Sequence, residues 1–324
     1  MTRVAAVDCG TNSIRLLVAD LPAAGATAPG APLVDVHREM RVVRLGQGVD
    51  ATGRIGDEAM ARTLAAVRDY AALCRELGVA RTRFVATSAS RDAENADVFV
   101  AGVREALGVE PEVVAGAEEA ALSFRGAATG VPPVGPDGTA LAAPFCVVDL
   151  GGGSTEVVLG DPTGDAPPAA LSVDVGCVRL TERHLAGDPP TAAQVAAARA
   201  DVDAALDRVE EVVPLATTGT LVGVAGSVTT ITAHALGLPA YEPARIHGAV
   251  LPVADVRAAC ADLLAMTREQ RAALPFMHPG RVDVIGAGAL VWDRVVERVA
   301  AAAGTTSVVT SEHDILDGIA LSLG

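Results

Sequence analysis

The stretch that decides the fold is VAAVDCGTNSIRLLVAD at residues 4–20, because it returns as FCVVDLGGGSTEVVLGD at residues 145–161. The two align without a gap at an offset of 141. Asp8 falls on Asp149, Gly10 on Gly151, Ser13 on Ser154, Arg15 on Glu156 and Asp20 on Asp161. Each copy is an apolar strand ending in Asp, a turn of Gly, Ser and Thr, and a second apolar strand. That pattern predicts a β-hairpin. Two copies so far apart predict a duplicated domain, one copy opening each half of the chain.

Working outward, strands and helices alternate. Helical periodicity covers residues 57–77, 95–107, 118–125, 191–213, 227–236 and 286–303, and strands are expected at 83–87, 112–115 and 221–224. This alternation predicts an α/β fold. Gly78 is placed to stop the first helix, Asn95 to cap the second, and Thr191 with Gln194 to form a capping box. Residues 126–144 and 161–170 are rich in Gly, Pro and Ala and read as a linker and a surface loop. The expected domains are therefore 1–125 and 126–310, with a closing helix at 311–324 packing back on the first. A cleft between two lobes is the expected place for a ligand.

Bulk properties narrow the function. The chain has 324 residues, enough for two domains, and is 50% hydrophobic with only 2% aromatics, so its cores must be built from Val, Leu, Ile and Ala. A formal net charge of −15 argues against nucleic-acid binding by a broad basic face. It leaves room for phosphate held by a local Arg cluster and backbone N–H groups. All 25 basic residues are arginine, which excludes a GxxxxGK[ST] phosphate loop and a Schiff-base lysine. Five cysteines without a CxxC pair read as reduced, buried thiols, and no apolar run reaches membrane-spanning length. A cytoplasmic protein with neither a membrane nor a nucleic-acid partner is expected.

Several residue groups are candidates for chemistry. The turns Gly10, Thr11, Asn12, Ser13 and Gly151, Gly152, Gly153, Ser154, Thr155 present successive N–H groups and hydroxyls, an anion-binding nest. Asp8, Asp149 and Glu156 would repel phosphate unless a cation intervened, and Mg²⁺ is commonly held by one or two carboxylates plus phosphate oxygens. Each Asp also has a structural reading, bonding its own turn. Glu118 and Glu119 follow a strand and a Gly and open a helix, where they complement the helix dipole or, facing a cleft, serve as a general base. Arg91 follows a strand end and suits bidentate phosphate binding. Gly226 and Ser227 stand at a strand-to-helix junction, another anion site. His247 and Asp283 read as structural, and the six histidines lack zinc-site spacing.

In order, VDCGTNSIRLL, VATSASRDAEN, VVAGAEEA, VVDLGGGSTEVVLG, VGVAGSVTTI, RIHGAVL and GRVDVIGAGAL resemble the exopolyphosphatase / guanosine pentaphosphate phosphatase (Ppx/GppA) family over residues 4 to 290, and SEHDILDGIAL resembles its C-terminal helix. The resemblance is to the short, two-domain form. It implies two ribonuclease H-like lobes of the actin-like ATPase superfamily around an interdomain cleft. It also implies a hydrolase of phosphoric anhydride bonds in which Glu119 activates water. Asp149 and Glu156 would hold Mg²⁺, or Mn²⁺, with help from Asp8. Asn12, Ser13, Arg15 and Arg91, with the backbone of residues 151–154, would grip the terminal phosphate. Ala115 stands where a small hydroxyl residue is common in the family. The substrate would be inorganic polyphosphate, releasing orthophosphate, or alternatively pppGpp; a homodimer is compatible with the family. An actin-fold ATPase or kinase and a non-enzymatic phosphate sensor are the remaining readings.

Overall fold

The apolar runs flanking each Asp form paired strands. β1 (Thr2–Cys9) pairs antiparallel with β2 (Ser13–Leu21), and Asp8 stands opposite Arg15. The computed structural model describes residues 2–21, 33–132, 134–135, 138, 140–164 and 168–324. The sheet is completed by β3 (Val34–Val42), β4 (Arg81–Ala86) and β5 (Glu112–Val113), in the order β3-β2-β1-β4-β5. β1 to β3 are antiparallel neighbours, while β1, β4 and β5 run parallel.

Both faces of β1 are covered, which is why its sequence is a continuous apolar run rather than an alternating one. Ala5, Val7 and Cys9 pack with Tyr70, Phe84 and Phe99 under the helices Asp57–Glu76 and Ala96–Leu107. Ala6 packs on the other face with Leu17, Leu122, Leu316 and Ile319 of the helices Gly116–Gly130 and Ile315–Leu321. Asp8, two residues on from Ala6, emerges on this second face at the strand's end.

The second hairpin repeats the plan. β6 (Phe145–Leu150) pairs antiparallel with β7 (Thr155–Gly160), and Asp149 stands opposite Glu156. With β8 (Ala169–Val173), β9 (Thr220–Val224), β10 (Val250–Pro252) and β11 (Ser307–Thr310), the order is β10-β11-β9-β6-β7-β8. Apart from the extra edge strand β10, the order β8-β7-β6-β9-β11 and its strand directions match those of the first sheet. The duplication expected from the repeat is thus present as two ribonuclease H-like units. By its contacts the chain divides into Met1–Thr129 with Asp314–Gly324, and Gly130–His313. The core of the second gathers on Trp292, Leu180, Leu221 and Ile231.

Several local expectations are corrected. The helix expected at 118–125 runs Gly116–Gly130, through the first five residues of the expected linker. Gly126 belongs to it as a contact residue: a Cβ there would stand 1.8 Å from the Asp314 carbonyl oxygen, and one on Gly318 would stand 1.9 Å from that of Leu122. Small residues in this stretch let two helices touch. Parts of the rest of 126–144, and residues 165–167 of the second expected loop, lie outside the described residues. The Thr191–Gln194 capping box forms on the helix Ala192–Val212. Asn95 does not cap with its side chain; it exchanges hydrogen bonds of 2.9 and 3.0 Å with the backbone of Ile55. Among the described residues, no helix is long and apolar enough to cross a membrane.

Candidate functional site

In the first unit the turn after β1 is closed by a 2.9 Å bond from the Gly10 N–H to the Ser13 carbonyl. Its own carbonyls face inward. Asn12 accepts from Val43 and Arg44 N–H, and Thr11 from Gly46 N–H, so the segment after β3 braces the turn from behind. The Thr11 hydroxyl meets that of Ser88 at 2.8 Å, tying the turn to the short helix Ser88–Arg91.

That helix aims Arg91 at Glu119. Arg91 Nη1 donates to the Val114 carbonyl at 2.9 Å and to Glu119 Oε2 at 3.1 Å. Both contacts use one nitrogen, and among the described residues Nε and Nη2 donate to no protein group, which leaves a two-pronged edge for an oxyanion. Glu119 is 7% exposed and sits in the first turn of Gly116–Gly130. Glu118 is turned elsewhere: it accepts from Arg83 at 2.7 Å and its side chain is 49% exposed. The two neighbouring glutamates are therefore separated into a buried one beside a cation and a surface one.

Arg15 does more than the sequence suggested. Its Nε and Nη2 donate to Asp8 Oδ2 at 2.9 and 2.7 Å, and its Nη1 bonds Asp314. Asp314 also caps the closing helix by accepting from Leu316 N–H. Burial pushes the Asp8 carboxyl above its usual range; Arg15 opposes this and the Asp314 charge adds to it. Arg15 is shared by two carboxylates, and Asp8 Oδ2 accepts from it. Asp314 was missed because its partner lies 299 residues away.

In the second unit the turn closes in the same way, with a 3.0 Å bond from Gly151 N–H to Ser154 carbonyl. Here the helix Cys177–His184 braces it: Cys177 N–H donates to Gly151, Val178 and Arg179 N–H to Gly152, and Arg179 Nε to Gly153 at 2.8 Å. With the carbonyls so engaged, the N–H groups of Gly152, Gly153 and Ser154 donate to no backbone acceptor among the described residues. The Thr155 hydroxyl donates to the Val175 carbonyl, and the residue is 1% exposed at the start of β7.

Asp149 and Glu156 are opposite one another on adjacent strands, 6% and 1% exposed. Ser172, next in register on β8, donates to Glu156 Oε1 at 2.7 Å. Directly opposed like charges are unfavourable, and the two carboxylates are oxygen donors of the kind a divalent cation takes. Among the described residues no cluster of three or more His, Cys, Asp or Glu side chains forms. Two carboxylates completed by water and substrate oxygens is the mode of Mg²⁺ rather than of an all-protein cage.

Gly226 and Ser227 open the helix Ala225–Ala235, and Ala225 enters it with φ of 69°. A residue the sequence reading passed over lies against them. The Arg281 guanidinium packs so closely on Gly226 that a Cβ there would stand 2.4 Å from Nη2, and its Nη1 donates to Thr230 at 3.1 Å. Arg281 pairs with no carboxylate among the described residues. A half-buried cation at a helix N-terminus is a second anion-ready feature of this unit. Its only sequence signal was an arginine ahead of an apolar helix.

Two duplicated units with arginine- and carboxylate-bearing glycine turns have counterparts among known phosphatases. A model of the Ppx/GppA phosphatase family matches residues 25–323, and the chain belongs to that family, as the motifs led one to expect. Exopolyphosphatase 2 of Mycobacterium tuberculosis is 53% identical over 328 residues, taking in 100% of this chain and 99% of that protein. Among solved structures, an exopolyphosphatase-like protein is 45% identical with a TM-score of 0.91, over 100% of this chain and 98% of that one. The Aquifex aeolicus PPX-GPPA enzyme is 28% identical with a TM-score of 0.78, over 99% of both chains.

Proposed function

We propose that this protein is an exopolyphosphatase that releases terminal orthophosphate from inorganic polyphosphate. The observation that carries the chemistry is the Arg91–Glu119 pair, a buried base candidate fixed beside a half-buried cation with free donor edges. The choice of polyphosphate over pppGpp follows the 53% identical relative, whose name is exopolyphosphatase.

In this reading Glu119 orients a water molecule and takes its proton as the water oxygen attacks the terminal phosphorus. The bridging P–O bond breaks, and the shortened chain leaves with the bridging oxygen. Charge on the transferring group is spread over its oxygens, so the site must position and neutralise it. In the first unit the candidates for this are the Nε and Nη2 edge of Arg91 and the Ser13 hydroxyl; in the second they are the N–H groups of residues 152–154 and the Ser154 hydroxyl. Arg281 and the Gly226–Ser227 helix start are a further candidate for phosphate in the second unit. Asp149 and Glu156 would hold Mg²⁺ or Mn²⁺, which supplies neutralisation of the phosphoryl oxygens. The expected cytoplasmic location and a homodimeric state belong to this same reading.

The test is phosphate release with Mg²⁺ from short polyphosphate, long polyphosphate, pppGpp and ATP in parallel. Release from polyphosphate, reduced by about 10²–10⁴ in kcat in Glu119→Gln with binding kept, is the expected result. Release from pppGpp alone would move the protein to the alarmone branch. Unchanged kcat in the variant would remove Glu119 from the mechanism.

A further inference from the structure

Arg281 has a support that the reaction as described does not use. Its Cζ stands 5.9 Å from the centroid of the Tyr241 ring, within cation–π reach. The Tyr241 hydroxyl is bonded at 2.7 Å to both Thr229 Oγ1 and Glu312 Oε1. A phenol has one hydrogen, so it donates to the carboxylate and accepts from the threonine. Burial together with the Glu312 charge pushes the Tyr241 pKa up, so the hydroxyl keeps that hydrogen.

The bonds index ring and cation on one helix. Tyr241 is tied to Thr229, and Arg281 to Thr230, its neighbour in Ala225–Ala235. Glu312, one residue beyond Ser311, whose N–H bonds the Gly223 carbonyl, brings the end of β11 to the same place. The Glu312 carboxylate accepts from the phenol. The guanidinium lies between the Gly226 backbone and an aromatic ring held by two hydrogen bonds. An arginine side chain loses much rotational freedom when it is fixed. One that is already fixed binds its anion without that loss.

We infer that Tyr241, held by Glu312, is a positioning residue for Arg281 and, through it, for the anionic substrate. This rests on the reading of the protein as a polyphosphate hydrolase. The expected signature is in KM, because this role gives Tyr241 no part in the proton transfer or the bond that breaks.

The experiment is steady-state phosphate release from short-chain polyphosphate with Mg²⁺ by wild type, Tyr241→Phe, Tyr241→Leu, Arg281→Gln and the Tyr241→Leu/Arg281→Gln double variant. Calorimetric binding of tripolyphosphate to each runs beside it. Arg281→Gln is expected to raise KM about ten- to a hundredfold, the range of a charge-assisted hydrogen bond, with a smaller change in kcat. Tyr241→Leu should approach it, and Tyr241→Phe, which keeps the ring and folds as a near-isostere, should raise KM only a few-fold. The double variant should be no worse than Arg281→Gln alone. Multiplying effects in the double variant, or a KM for Tyr241→Leu equal to that of wild type, would overturn the positioning role while leaving the hydrolase reading intact. Wild type that neither releases phosphate nor binds tripolyphosphate would overturn the hydrolase reading, and this role with it.

Discussion

The two hairpins have one backbone and two electrostatic designs. Both turns close with the same Gly-to-Ser bond, at 2.9 Å in the first and 3.0 Å in the second. Both carry Asp at the second-last position of the first strand, and both lie at the same place in a sheet of the same order, the extra edge strand β10 aside. The difference is the residue across the hairpin. Opposite Asp8 stands Arg15, and opposite Asp149 stands Glu156. In the first copy the charge is resolved inside the protein, by a guanidinium shared between Asp8 and Asp314. In the second, two carboxylates face one another, with Ser172 donating to Glu156. One duplicated scaffold thus carries a guanidinium–carboxylate brace in one copy and a carboxylate–carboxylate pair in the other, set by a single cross-strand position.

The second copy should therefore be the more sensitive of the two to loss of catalysis. Asp149→Asn is expected to lower kcat/KM by about 10²–10³, since a metal's stabilisation of phosphoryl oxygens is worth several kcal/mol. A Mg²⁺ titration of phosphate release should show the requirement rising as well. Activity with an unshifted Mg²⁺ dependence would mean that the pair is structural, and the contrast between the copies would collapse.

The first copy should instead show itself in stability. Replacing Arg15 with Leu leaves Asp8 and Asp314 buried without their cation. Removing one partner of a buried pair destabilises by about 3–5 kcal/mol, and with the Arg15 side chain 21% exposed the low end is expected. Asp314→Asn should lose less, because the amide can still accept from Leu316 N–H as a cap. Urea midpoints would rank the two variants, and equal losses would show that Arg15 depends on Asp314 as much as Asp8 does.

This contrast was half legible in the sequence. The alignment of Arg15 with Glu156 is visible in the repeat, as are both turns, because a gapless offset needs no knowledge of tertiary contacts. Glu119 could be told from Glu118 only through the family resemblance; their environments diverge because Arg83 and Arg91, from different places in the chain, each reach one of them. Asp314, Tyr241 and Glu312 were silent, since the Arg15–Asp314 and Tyr241–Glu312 bonds join residues far apart in sequence and no local pattern marks them. The strands β3, β8, β10 and β11 were missed for a different reason. They lie at or near sheet edges and are short or mixed in polarity, and β3 is irregular opposite Val18 and Ala19, which breaks the period-two signal. Gly126 misled because the same composition serves a loop and a close helix contact.

The smallest expected effect is also the finest test of the brace. Asp8 has its pKa raised in the folded protein, chiefly by burial. A carboxyl raised in this way favours folding most when it is protonated in both states, below its ordinary value of 3.8, and loses that contribution as pH rises through its folded value. Asp8→Asn has no such titration. Measured by urea unfolding at about pH 4 and at neutral pH, wild type should therefore lose ground to Asp8→Asn as pH rises. The drift should be shallow, since Arg15 opposes the burial that drives it. If wild type gained on the variant over the same window, the ion pair with Arg15 would outweigh burial, and the first hairpin would be stabilised by its charges rather than merely reconciled to them.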